Sequence, residues 1–305
     1  MSTRKLVVLG TAAQVPTRDR NHSAYFLYWD HHGFLVDCGE GTQRQLTYFN
    51  VKASSITKIL ITHFHGDHCL GLPGILQRIA LDKVTHPVEV YFPASGLAYF
   101  ERLKDVSYFS NQLELIPQPV TNDGIVFEDQ QLQVEAYRLD HPIDTFGYRI
   151  KEKDTVNLLP EKLDLYGLEG KEIGQLKAQG TINKGDRSIS LSDVSIPRTG
   201  QCVAFVFDTR HCENVFRLAS KADLLVCEST FSAEHTELAD SYGHLTTVQA
   251  ADIAKESLSD HLILTHFSQR YASVKPLHRE AKAVHQHTSA ARDGDVFELP
   301  RRKKM

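Results

Sequence analysis

Nothing in this sequence supplies a covalent staple. Its five cysteines, Cys38, Cys69, Cys202, Cys212 and Cys227, are odd in number and never fall in C-x-x-C spacing, which argues against both a disulfide framework and a thiolate zinc knuckle. A reducing cytoplasm is the expected home. Long apolar runs are missing too. The opening Met1-Ser2-Thr3-Arg4-Lys5 leads into only Leu6-Val7-Val8-Leu9, too short for a signal-peptide core, and no other stretch approaches a membrane span. The expectation is a soluble protein that is not exported. There is no excess of positive charge: the formal net charge is -4, so an RNA partner has to be held by a local basic patch and by metal ions. The terminal run Arg301-Arg302-Lys303-Lys304 reads as a solvated tail. With 305 residues and 41% hydrophobic content, the chain can bury a large core, and a single α/β domain over residues 1–305 is expected.

What the sequence does have is His63-Phe64-His65-Gly66-Asp67-His68, four metal-ligand side chains within six residues, directly after Ile59-Leu60-Ile61. A β-branched apolar run ending in a glycine-containing loop reads as a buried strand that stops where the ligands begin. In the extended part, His63 and His65 point to the same side, so two imidazoles converge on one ion. Gly66 lets the chain turn and bring Asp67 and His68 towards a second. Imidazole and carboxylate suit zinc, with manganese or iron as alternatives.

Around this loop the chain alternates. Residues 6–9, 24–29 and 34–36 read as strands, 43–48 as a helix, and 70–81 as a helix with Pro73 and Gly74 near its start. Further strands are expected at 88–92, 132–137 and 146–150. In the C-terminal third, 203–207, 224–227 and 262–265 read as buried strands with ligand-type residues just beyond them. Ile59-Leu60-Ile61-Thr62-His63-Phe64 is echoed by Leu262-Ile263-Leu264-Thr265-His266-Phe267, as if two strands deliver a histidine in the same way. Residues 151–200 lack a sustained apolar period and carry eight Lys/Arg against eight Asp/Glu, the profile of an inserted arm without basic excess.

Three further ligand candidates follow apolar stretches: His141 in Asp140-His141-Pro142, Asp208 in Phe207-Asp208-Thr209, and His266. Singly, each has an ordinary structural use, His141 as a turn residue, Asp208 as a helix N-cap and His266 as a core histidine. Together they complete a ligand set. H-x-H-x-D-H followed by a downstream His, Asp and His resembles the metallo-β-lactamase superfamily. Several more segments narrow the resemblance to the ribonuclease Z family of tRNA 3′-processing endonucleases. They are Pro16-Thr17-Arg18-Asp19-Arg20-Asn21, Asp37-Cys38-Gly39-Glu40-Gly41-Thr42-Gln43, Gly66 to Gly74, Gly147-Tyr148-Arg149, Cys227-Glu228-Ser229-Thr230, Gly243-His244-Leu245-Thr246-Thr247 and Ser268-Gln269-Arg270-Tyr271. The match runs over nearly the whole chain.

The resemblance implies an α/β fold, a four-layer αββα sandwich with the metals at one edge of its two sheets, and a homodimer. It implies two zinc ions per chain: His63, His65 and His141 on one, Asp67, His68 and His266 on the other, and Asp208 between them. It implies that Asp67 orients or deprotonates the attacking water, that His244 gives a proton to the leaving oxygen with Glu228 holding its ring, and that Arg270 and Tyr271 bind phosphate. The substrate implied is precursor tRNA, cut after the discriminator nucleotide to leave a 3′ hydroxyl. Two other readings stay open, a phosphodiesterase or hydrolase of a small substrate with the same metals, and a non-catalytic, metal-dependent RNA-binding protein. The chain departs from the family's pattern in two places: Tyr166-Gly167-Leu168-Glu169-Gly170-Lys171 in the arm lacks the proline of the family's tRNA-gripping segment, and Phe207 stands where a glycine often precedes the aspartate, with Cys227 and Ser229 around Glu228 in place of the more usual histidine and alanine.

Overall fold

The computed structural model describes residues 4–109 and 113–299; the basic run 301–304 lies outside them. Two seven-stranded sheets face each other. In the first, the spatial order is Val296–Glu298, Arg4–Gly10, Ala24–Trp29, His32–Cys38, Lys58–Leu60, Val88–Pro93 and Leu115–Val120. In the second it is Thr288–Ala290, His261–Thr265, Leu224–Glu228, Cys202–Val206, Phe146–Glu152, Leu132–Arg138 and Gly124–Glu128. Each sheet is antiparallel towards one side and parallel towards the other, with Lys58–Leu60 parallel to both neighbours and Leu224–Glu228 likewise.

The layers follow from the two-residue period of a strand. Leu6 and Val8 join a core between the sheets with Tyr25, Leu27, Phe34 and Val36, while Val7, Leu9, Phe26 and Leu35 point into a second core behind the first sheet. Val203 and Phe205 enter the central core from the other side, and Cys202, Ala204 and Val206 enter a third, behind the second sheet. Both faces of the central strands are thus dry, which is why they read as unbroken apolar runs. Helices close the outer faces: Leu72–Leu81 buries Leu72, Ile75, Leu76 and Ile79 on the first, and Thr247–Glu256 and Lys275–Val284 cover the second. Each fully buried Leu, Ile, Phe or Val contributes roughly 1.5–3 kcal/mol. The result is the expected αββα sandwich.

The helix expected at 70–81 begins two residues late, as Leu72–Leu81, and a separate short helix, Gly66–Cys69, precedes it. The gap between the two comes from Gly71, whose N–H donates to the Cys38 carbonyl at 2.8 Å and whose missing side chain allows the approach: a Cβ there would stand 2.1 Å from the Gly39 carbonyl oxygen. His68 is thereby carried on its own short helix.

The segment 151–200 is more ordered than its composition predicts. Lys151 and Glu152 still belong to the strand Phe146–Glu152, and the insertion proper begins after them. It contains two short ribbons, Thr155–Leu158 with Ser195–Arg198 and Thr181–Lys184 with Arg187–Ser190. Two helices, Pro160–Leu165 and Gly170–Gln179, lie between them. Leu168, Leu176, Ile189 and Val194 form a small core of its own. Four scattered apolar residues, each from a different element, leave no periodic trace in a sequence.

Candidate metal centre and active site

The ligand-type residues of the centre lie just past strands of the sandwich, save Asp67 and His68, which the short helix Gly66–Cys69 carries. Past Lys58–Leu60 the chain runs through Ile61 and Thr62 to His63; past Cys202–Val206 lies Asp208; past His261–Thr265 comes His266. Asp208 and His266 have φ values of 38° and 58°, and Asp37 beside them 54°. Three non-glycine residues in the left-handed region is an unusual cluster of backbone cost at one place.

Four of the five imidazoles, His63, His68, His141 and His266, have Nδ1 committed to a neighbour, His63 to the Thr62 hydroxyl at 3.0 Å, which leaves Nε2 free. His68 donates Nδ1–H to the buried Asp37 carboxylate at 2.7 Å. Asp37 is itself held by the Thr62 N–H at 2.8 Å and by the Thr62 hydroxyl. His141 donates Nδ1–H to the Gly243 carbonyl at 2.9 Å, and His266 Nδ1 meets the Thr230 hydroxyl at 2.9 Å. The free nitrogens then converge. His63 Nε2 lies 3.1 Å from His65 Nδ1, which lies 3.3 Å from His141 Nε2. His68 Nε2 lies 3.2 Å from His266 Nε2. Asp208 stands between the two groups: Oδ2 is 3.5 Å from His63 Nε2, and Oδ1 is 3.4 Å from His68 Nε2 and 3.3 Å from His266 Nε2. Asp67 Oδ2 is 3.5 Å from both His68 and His266 and accepts the Gln14 N–H at 2.8 Å.

These separations fit metal ions. Bonds of 2.0–2.1 Å in a tetrahedron place ligand atoms about 3.3 Å apart, close to the spacing observed. Asp208 Oδ1 is buried with no hydrogen-bond partner, and such an orphan calls for an ion. The electrostatics differ between the two groups: burial would lower the His68 pKa, but the Asp208, Asp67 and Asp37 carboxylates raise it, so a metal there must displace a proton. Burial pushes the pKa values of His63, His65 and His141 down, towards the neutral form that ligates. Burial would raise Asp208, but the imidazoles of His266, His68 and His63 hold it well below the usual carboxylate range. The ligand atoms gather as His63, His65, His141 and Asp208 and as Asp67, His68 and His266, with Asp208, His244 and His266 a third group that overlaps both.

His244 lies at the rim of this centre. Its Nδ1 donates to Glu228 Oε1 at 2.9 Å, and Glu228, fully buried, also accepts from the Thr209 N–H and the Thr230 hydroxyl. Burial alone would lower the imidazole pKa; the Glu228 carboxylate, then Asp208, reverse this and raise it to about 9. At neutral pH the ring therefore carries a proton. A cavity of about 520 Å³ opens over the centre, bounded by His65, Asp67, His141, His244, Gln14 and Arg270. Arg270 is exposed, with its guanidinium 5.3 Å from the Phe231 ring. Tyr271 does not line the cavity: its hydroxyl accepts the Ser232 N–H at 2.9 Å and meets His235 Nδ1 at 3.1 Å.

The structure brings His63, His65, Asp67, His68, His141, Asp208, His266, Glu228 and His244 together and places Arg270 at the cavity. Sequence reasoning missed the partners. Asp37 had a readable signal, a carboxylate at the end of an otherwise apolar strand. Thr230, Gln14 and Gly243 had none, because two of the three act through backbone atoms.

The model of the metallo-beta-lactamase superfamily matches residues 17–149. Over 282 residues the chain is 51% identical to a ribonuclease Z of Salinispora arenicola, covering 92% of this chain and 91% of that protein. It is 41% identical over 301 residues to a ribonuclease Z of Chlamydia pneumoniae, covering 99% and 98%. Among solved structures, the short form of human tRNase Z aligns with a TM-score of 0.72 at 28% identity, covering 97% of this chain and 99% of that one.

Proposed function

The chain belongs to the ribonuclease Z family of the metallo-β-lactamase superfamily, and on that premise we propose that it removes the 3′ trailer of precursor tRNA by zinc-dependent hydrolysis of one phosphodiester. It is an endoribonuclease of tRNA 3′ processing. The observation that carries the zinc reading is the convergence of five imidazole nitrogens and two carboxylates at tetrahedral-edge spacing around the orphaned Asp208 Oδ1. His63, His65 and His141 would hold one ion and Asp67, His68 and His266 the other, with one oxygen of Asp208 towards each. Two zinc ions, when bound, supply Lewis acidity: they ease deprotonation of the attacking water and offset the charge that builds on phosphorus.

The protein's own groups do the rest. Asp67, oriented by the Gln14 N–H, accepts the proton of the water that attacks phosphorus. Cleavage that leaves a 3′ hydroxyl on the tRNA breaks the P–O3′ bond, and O3′ needs a proton as it departs. His244, held protonated by Glu228, supplies it. Arg270 at the cavity mouth pairs with a phosphate next to the cut. The arm, with a small core of its own, supplies none of these groups, which leaves contact with the tRNA body as the role to test for it. A homodimer accords with the exposed Leu81, Leu97, Tyr99 and Val106 on and beside the outer helices of the first sheet. The five free thiols suit a cytoplasmic location, and no helix among the described residues is long and apolar enough to cross a membrane.

Elemental analysis tests the metal assignment. Saturated protein should carry about two zinc ions per chain, and His266→Ala fewer. A saturated preparation with one ion, unchanged by His266→Ala, removes the second site.

A further inference from the structure

A groove outside the metal centre combines basic and apolar side chains. The helix Lys275–Val284 carries Lys275, Arg279 and Lys282 at i, i+4 and i+7, which puts them in one stripe about 10 Å long. The opposite face is spent on the protein: Leu277 and Ala281 are buried, and Glu280 accepts the Thr247 hydroxyl and the Ala233 N–H. The helix's one carboxylate is therefore turned inward and its cations outward. Across from Lys275, Arg292 and the strand Val296–Glu298 form the other wall, enclosing about 460 Å³ with Val274, Ala290 and Phe297 at its floor; Arg279 and Lys282 stand on the adjoining surface, which shares Lys275 and His278 with the groove. Lys275, Arg279, Lys282 and Arg292 are exposed, and their side chains make no hydrogen bond or ion pair with the described residues. The groove's carboxylate, Asp295, is occupied by the Arg292 N–H at 2.9 Å.

Lys275 and Arg292 stand over the groove's aromatic and aliphatic floor, and Arg279 and Lys282 carry the positive charge on along the helix beside it; in a chain of net charge -4 these are the makings of a site for single-stranded nucleic acid, phosphates against the cations and a base face on the floor. Duplex RNA hides its base faces and has no use for such a floor. Arg270, at the metal cavity, is five residues from Lys275, so their Cα atoms are at most about 18 Å apart. A strand leaving the cut can reach the groove.

We propose that the groove between the helix Lys275–Val284 and the strand Val296–Glu298 binds the single-stranded 3′ trailer of the substrate. This rests on the reading of the protein as a precursor-tRNA endonuclease. The groove contributes remote binding and no chemistry, so its loss raises KM and leaves kcat.

The test is the triple variant Lys275→Ala, Arg279→Ala, Lys282→Ala, zinc-loaded, against precursors with one-nucleotide and ten-nucleotide trailers. KM for the long trailer should rise about tenfold with kcat unchanged, and the short-trailer precursor should be processed as by wild type. Three lost phosphate contacts should flatten the salt dependence of log KM by about 2. An equal rise for both precursors places the cations against the tRNA body, and no change makes them a solvated face; either overturns the proposal. Binding of a labelled ten-nucleotide RNA, followed by fluorescence anisotropy, gives a readout independent of cleavage. Equal affinity of wild type and variant also overturns the groove. If wild-type protein cleaves no precursor but loses the oligonucleotide with the triple variant, the endonuclease reading fails while the groove stands as an RNA site.

Discussion

His68 donates Nδ1–H to Asp37 across 2.7 Å, and both side chains are completely buried. That bond decides which nitrogen His68 offers to the centre, and Asp37 also fixes the loop through the Thr62 N–H. Asp37→Asn keeps the shape and removes the charge. It should weaken metal affinity roughly 10- to 100-fold, measured by competition with a chromophoric chelator. Unaltered affinity in a folded variant would reduce Asp37 to a packing residue.

Proton donation can be separated from coordination at His244. His244→Ala should keep its metal while cleavage slows about a hundredfold or more; undiminished turnover would make it a bystander. The pH profile gives the sign. His244 acts protonated, so kcat falls as pH rises through its pKa, and Glu228 is the main charge holding that pKa up at about 9. Glu228→Gln should therefore move the alkaline limb of kcat to lower pH. A limb that stays in place assigns it to another group.

Much of the cluster was legible because its ligand-type residues gather just past apolar strands, where a run of histidine and aspartate stands out. The echo of Ile59-Leu60-Ile61-Thr62-His63 in Leu262-Ile263-Leu264-Thr265-His266 has a structural meaning: strands from opposite sheets each deliver an imidazole at the same edge. The sandwich was legible too, since strands buried on both faces become continuous apolar runs. The separate short helix Gly66–Cys69 and the late start of the next at Leu72 were not, because they depend on a close approach of Gly71 to Gly39, far along the chain. Nor was the arm's small core, assembled from Leu168, Leu176, Ile189 and Val194 without periodicity.

Arg270 and Tyr271 are adjacent in sequence and differ in use. Arg270→Ala should raise KM for precursor tRNA several-fold through a lost phosphate contact, with little effect on thermal stability. Tyr271→Phe strips the acceptor from the Ser232 N–H. It should cost about 1 kcal/mol in denaturant unfolding and leave KM nearly unchanged. The reverse pattern would put the Tyr271 hydroxyl on the substrate.

The arm can be removed at its own boundary. The Gly200 N–H donates to Asp154 at 2.9 Å and Glu152 pairs with Gln201, so the two ends of the insertion lie side by side. Replacing residues 155–198 with a short turn should raise KM for precursor tRNA and leave hydrolysis of a small phosphodiester intact. Equal losses on both substrates would make the arm a folding element and favour a small-substrate phosphodiesterase.

The central claim is that this metal centre cuts precursor tRNA at one defined phosphodiester. Protein stripped of metal, reloaded with zinc and given a precursor tRNA should yield one cut after the discriminator nucleotide, with a 3′ hydroxyl on the tRNA, and the stripped protein should yield none. Cleavage by the stripped protein, or a reloaded protein that hydrolyses a small phosphodiester while leaving the precursor whole, would contradict it.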